Sequence, residues 1–131
     1  MKVAFVFLLA IASLGCGYSA PKAAAPQAGL VPVISAVVPN TANHGDPGFT
    51  LTVNGNTFNA NAVVNWNGQA QATTHPAMNQ LTVAIPASAV ASAGSVAVTV
   101  TNPGSSTPGG PYGGGTTTMS ETSNSMTFTV N

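Results

Sequence analysis

The stretch "VVNWNGQA", Val63–Ala70, contains the only tryptophan of the chain. On an extended strand, side chains two positions apart point to the same side, so Trp66 shares a face with Val64. The Asn67-Gly68 pair that follows is the dipeptide that closes a tight hairpin. A strand ending in such a turn, with Val64 and Trp66 both inward, predicts that the indole is a core residue. The competing reading makes Trp66 an exposed platform on which a sugar ring stacks. Parity with Val64, and the habit of β-sandwiches of burying an aromatic on the third strand, favour the core.

The same two-residue period recurs on both sides of this stretch. Phe49, Leu51 and Val53 alternate with Thr and Asn, as do Leu81, Val83 and Ile85, then Val96, Val98 and Val100, and finally Met126, Phe128 and Val130. Alternation of this kind marks half-buried strands, and strands wet on one face pair antiparallel more naturally than parallel. In "VISAVVP" the apolar Ile34 and Val37 are out of step, so both face inward only across a bulge, and Pro39 ends the run. "NHGDPGF" and Asn54-Gly55 read as turns. "IPASAVASAG" reads as one or two helical turns. With a weak strand near Thr73, the chain carries about seven strands in roughly 100 residues, the layout of an immunoglobulin-like antiparallel β-sandwich. The predicted core is Phe49, Leu51, Val53, Phe58, Val64, Trp66, Leu81, Val83, Ile85, Val96, Val98, Val100, Phe128 and Val130.

Composition narrows the function. The chain has 131 residues, of which 3% are charged, and no net charge, which suits one domain and leaves little long-range electrostatic steering. Lys2 and Lys22 are the only cations, too few to bind nucleic acid by displacing counterions. His44, His75, Asp46 and Glu121 are too few and too scattered for a zinc or calcium site, and no cofactor is expected. No serine stands in a Gly-x-Ser-x-Gly elbow, and Glu121 has only the distant Asp46 as a partner for paired-carboxylate chemistry. Both histidines read as exposed loop residues. These residues point away from an enzyme.

The N-terminus reads as a targeting segment. "MKVAFVFLLAIASLGC" sets Lys2 before an apolar run, Val3–Leu14, shorter than the ~20 residues of a membrane span, so residues 1–15 are read as a signal peptide. Its end, Ser13-Leu14-Gly15-Cys16, resembles the lipobox of bacterial lipoproteins. That resemblance implies a diacylglyceryl group on Cys16, a membrane anchor, and export to the cell envelope. Gly17 in place of Asp implies the outer membrane. Leu14 stands one place later than the box has it, so ordinary cleavage after Gly15 or Ala20 stays open. Residues 16–31, rich in Pro and Ala, are read as a flexible tether with a reach of about 40 Å if extended. The domain proper is assigned to 32–131.

The body resembles the IPT/TIG family of immunoglobulin-like modules on "PVISAVVPN", "GFTLTVNGNTF", "AVVNWNG", "QLTVAIPA", and "GSVAVTVTNPG" followed by "SNSMTFTV". The resemblance implies a structural or protein-interaction unit of the cell envelope, with another envelope protein or a polysaccharide as partner. The family's DNA-binding branch uses basic loops that this chain lacks. A departure is the long connection Asn102–Ser125, "NPGSSTPGGPYGGGTTTMSETSNS". It reads as a flexible loop with Tyr112 at its tip as the candidate interaction residue, since binding residues gather on loops carried by rigid scaffolds. Deleting Pro108–Thr118 is expected to leave stability nearly unchanged, because loop entropy varies slowly with length. In the alternative reading, Tyr112 and an exposed Trp66 bind carbohydrate by stacking.

Overall fold

The computed structural model describes residues 26–111 and 113–131. The expected signal peptide, Cys16 and Tyr112 lie outside the described residues.

Among the described residues twelve strands form. The first sheet joins β1 (Val33–Val38), β3 (Phe49–Asn56), β7 (Gln80–Ile85) and β6 (Thr73–Ala77) in the order β1-β3-β7-β6. The second takes β2 (Thr41–Ala42), β12 (Met126–Val130), β8 (Gly94–Asn102), β4 (Val63–Trp66) and β5 (Gln69–Ala70) in the order β2-β12-β8-β4-β5, and β11 (Glu121–Thr122) pairs with β8. A separate ribbon joins β9 (Ser105–Thr107) to β10 (Thr116–Thr118). The five alternating segments, the out-of-step run at Ile34 and the weak segment near Thr73 are all strands, and the five additional ones are no more than three residues long.

Alternation places the core where period two puts it. Leu51, Val53, Leu81, Val83 and Ile85 from the first sheet meet Val64, Trp66, Val98, Val100, Phe128 and Val130 from the second in one buried cluster, joined by Ile34, Val37 and Phe58. One continuous cluster fed by both sheets is the interior of a sandwich. The bulge expected in β1 is present: pairing with β3 slips between Ile34 and Ala36, and Ile34 and Val37 are both buried. The helical turn is a short 3-10 segment, Ala87–Val90, which buries Val90.

Four expectations are corrected. Phe49 and Val96 are half-buried and pack against the cluster from its margin. Phe49 is the first residue of β3, and Val96 lies on the part of β8 that pairs with β12 but lies beyond the reach of β4, so neither is closed in on every side. Asn54-Gly55 is no turn but the interior of β3, opposite Ala36 and Ile34. Gly55 answers to close approach, since a β-carbon there would run into the Val33 carbonyl and the Phe58 ring. The sandwich also holds one parallel pair: after Pro39 the chain leaves the first sheet and β2 joins the second beside β12. Pro39 has no N–H to extend the β1 ladder, and Asn40 and Ala42 instead accept the N–H groups of Thr129 and Asn131. Finally, the connection 102–125 is folded into the ribbon and β11 rather than left as a loop.

The reading of Asn67-Gly68 holds. Asn67 has φ 50° and Gly68 φ 80°, the two positive values of a type I′ hairpin turn, and Trp66 pairs with Gln69 across it.

Candidate functional site

Trp66 sits in an aromatic trio. Its ring lies 4.9 Å from that of Phe128 and 6.4 Å edge-on from Phe49, while Phe49 stacks on Phe128 at 5.5 Å with the planes 12° apart. With 6% of its surface exposed, Trp66 has no face on which a sugar could stack. Tilted and edge contacts of this kind add about 0.5–1.5 kcal/mol per pair beyond area burial. Shallow hollows flank the partly open Phe49, about 530 Å³ toward Gln71 and Pro86, and about 370 Å³ toward Pro39 and Asp46. Neither gathers polar groups that would direct a reaction.

The candidate chemical residues are occupied structurally or stand apart. Asp46 accepts the Asn43 N–H at 2.8 Å and returns its own N–H to the Asn43 carbonyl at 3.1 Å, closing the turn before β3. His44 donates its backbone N–H to the Asn131 carbonyl at 2.8 Å, and its ring Nδ1 lies 2.9 Å from the same oxygen. His75 is exposed as expected, but on edge strand β6 instead of a loop. Among the described residues no three of His, Cys, Asp and Glu come together as a metal cage.

The sequence reading missed a set of asparagines. Asn102, 2% exposed, is the one buried polar residue of the described core. Its Nδ2 donates to the carbonyls of Leu30 at 2.7 Å and Thr57 at 2.8 Å, and its Oδ1 accepts the Asn59 N–H at 3.0 Å. One amide thereby ties β8, the segment before β1, and the β3–β4 connection together. The signal was present: Asn102 continues the inward parity of Val98 and Val100. Asn124 plays a matching part at the edge of β1, accepting the Ile34 N–H at 2.9 Å and donating to the Ile34 carbonyl at 3.0 Å. Its side-chain amide substitutes for the peptide of a neighbouring strand. Beside it, Ser123 closes on Val100 in the same way, backbone N–H to carbonyl and Oγ from N–H, both at 2.8 Å.

The elaboration of the scaffold is the β9–β10 ribbon. Its Ser and Thr side chains are largely exposed, and beyond the two strands the Gly113 N–H donates to the Gly110 carbonyl at 2.9 Å. Gln27 runs alongside the ribbon, donating to the Thr117 carbonyl at 2.8 Å and accepting the Met119 N–H at 2.9 Å. The flexible tether expected over 16–31 is therefore already tied down at Gln27, through a parallel bridge to Thr118. At the foot of the ribbon a hollow of about 320 Å³ lies between Leu30, Met119, Ala60 and Asn102.

A comparison with curated proteins finds no match. The IPT/TIG domain model matches residues 32–130, nearly the whole of the described sandwich, and the chain belongs to the IPT/TIG family.

Proposed function

We propose that this chain is a non-enzymatic, lipid-anchored module of the cell envelope that serves as a structural or protein-interaction unit. The observation that carries this reading is where the chemistry-bearing side chains have gone. Asp46 and His44 are engaged in hydrogen bonds that close turns and tie strand ends, Trp66 is enclosed, and an exposed ribbon of Ser and Thr is held against the sandwich. A family of immunoglobulin-like modules supports the same reading. Burial of Trp66 removes one of the two aromatics on which carbohydrate binding would depend, and no observation favours that alternative.

The anchor rests on Cys16, and its test is fractionation of cells expressing the chain with labelled palmitate. The parent is expected in the membrane fraction carrying label. Cys16→Ala is expected to lose both, and label retained by that variant would refute the anchor. For the interaction role, cross-linking in the native envelope should recover a defined protein partner whose yield falls when Gly109–Gly114, the ribbon tip, is removed. A yield independent of the tip would place the contact elsewhere.

A further inference from the structure

Against a surface of Thr, Ser and Asn, the large exposed apolar side chains of the described residues are not scattered. Leu30, Val31, Val33, Met78 and Met119 are 48 to 88% exposed, and they surround one connection, Asn56–Ala60. Leu30 and Met119 line the hollow that ends on Asn59 and Ala60. Those two residues also line a second hollow of about 300 Å³ with Phe58, His75 and Met78. Val33 pairs with Asn56, and Val31 lies between Val33 and Leu30. The sixth such side chain, Val38, stands alone at the other end of β1.

This apolar end is also where the chain arrives from its N-terminus. Gln27 is bound to the ribbon, and the Leu30 carbonyl is held by Asn102. Cys16 precedes Pro26, the first described residue, by ten positions (26 − 16), a reach of about 31 Å at polyproline spacing. We infer that this end of the sandwich, around Leu30, Val31, Val33, Met78 and Met119, rests on the lipid surface to which Cys16 is anchored. The inference deepens the anchored reading and depends on it.

Clustered apolar side chains on an otherwise polar surface mark contact sites, and burial in the headgroup boundary scales with apolar area. Anchoring only ten positions before Pro26 supplies an effective concentration in the millimolar range, so even a contact of ~1 mM affinity is populated about half the time. The attraction is apolar, because the described residues hold no Lys or Arg. The charged residue beside the patch among the described residues is Glu121, packed near Gly29.

The test uses the acylated full chain in phosphatidylcholine vesicles. Cys16 is blocked by its lipid, so Met78→Cys, Met119→Cys and, as control, Val38→Cys each offer one thiol for an environment-sensitive fluorophore. Labels at 78 and 119 are expected to emit further to the blue than at 38, and to be quenched several-fold more by nitroxide-bearing lipids. Equal quenching at all three positions overturns the docking. A blue shift quenched by a second labelled copy but not by the lipids also overturns it, and makes another copy of the chain the occupant. Incorporation of labelled palmitate is read separately: its absence removes the anchor and the docking with it, whereas labelled protein with equal quenching removes the docking alone.

Discussion

At the scale of single residues, two asparagine-glycine pairs show what sequence does and does not disclose. Asn67-Gly68 is a turn because nothing lies against it, and its backbone takes the positive φ values of a hairpin. Asn54-Gly55 has the same chemistry but is needed for space, under Val33 and Phe58. No local signal separates the two, since the contact that decides the second comes from a strand some twenty residues upstream. Gly55→Ala is expected to lower stability by about 1–3 kcal/mol, the usual cost of forcing extra volume into a packed site; an unchanged denaturation midpoint would show that β1 yields. Asn102 was legible and overlooked, because an amide at an inward position must have found partners. Asn102→Ala strands the Leu30 and Thr57 carbonyls and the Asn59 N–H, at about 1–3 kcal/mol for a buried polar group left unpaired. The loss should exceed that of Asn65→Ala, whose amide bonds the Thr99 and Thr101 hydroxyls on the half-buried face. Urea titration of the two variants side by side makes the comparison, and equal losses would contradict it.

The elements divide along the same line. Strands with strict alternation were readable because one face of each is dry, and a one-residue slip would turn every apolar side chain outward. β2 and β5, two residues each, are too short to carry a period, and the two ribbon strands consist of Ser and Thr alone, with no apolar face. β2 crosses to the second sheet only because Pro39 stops β1 and the ends of β12 offer free partners, a tertiary circumstance. The ribbon also changes what a deletion should do. Removing Pro108–Thr118, expected from sequence to be neutral, takes away β10 and with it the Thr117 carbonyl and the Thr118 bridge that hold Gln27. Removing Gly109–Gly114 shortens only the turn. Thermal melting should therefore be little altered by the shorter deletion, since loop length enters only logarithmically, and clearly lowered by the longer one. Equal melting of both would mean that the ribbon contributes nothing to the sandwich. Asn124→Ala tests a related link, for it releases Ile34 at the edge of β1. Amide exchange at Ile34 should quicken in that variant while exchange at Leu51, deep in β3, stays slow.

For the molecule as a whole, the near absence of charge is the governing fact. With 3% charged residues and no net charge, screening has little on which to act, so raising the ionic strength from ~0.01 to ~0.15 M, which shortens the Debye length from ~30 to ~8 Å, should leave the melting temperature where it was. Stability instead rests on the apolar layer between the sheets, and the aromatic trio occupies part of it. Removing a buried indole typically costs about 3–5 kcal/mol, a large share of the ~5–15 kcal/mol by which domains are stable. Trp66→Ala should accordingly melt well below the parent or fail to fold. The single tryptophan also allows the interior to be read directly, by its emission in the native full chain with acrylamide as quencher. Blue-shifted emission, inaccessible to acrylamide until denaturant unfolds the chain, is the result expected of an indole enclosed between two sheets. Red-shifted emission, quenched at once in the folded protein, would contradict that enclosure and the sandwich packing drawn around it.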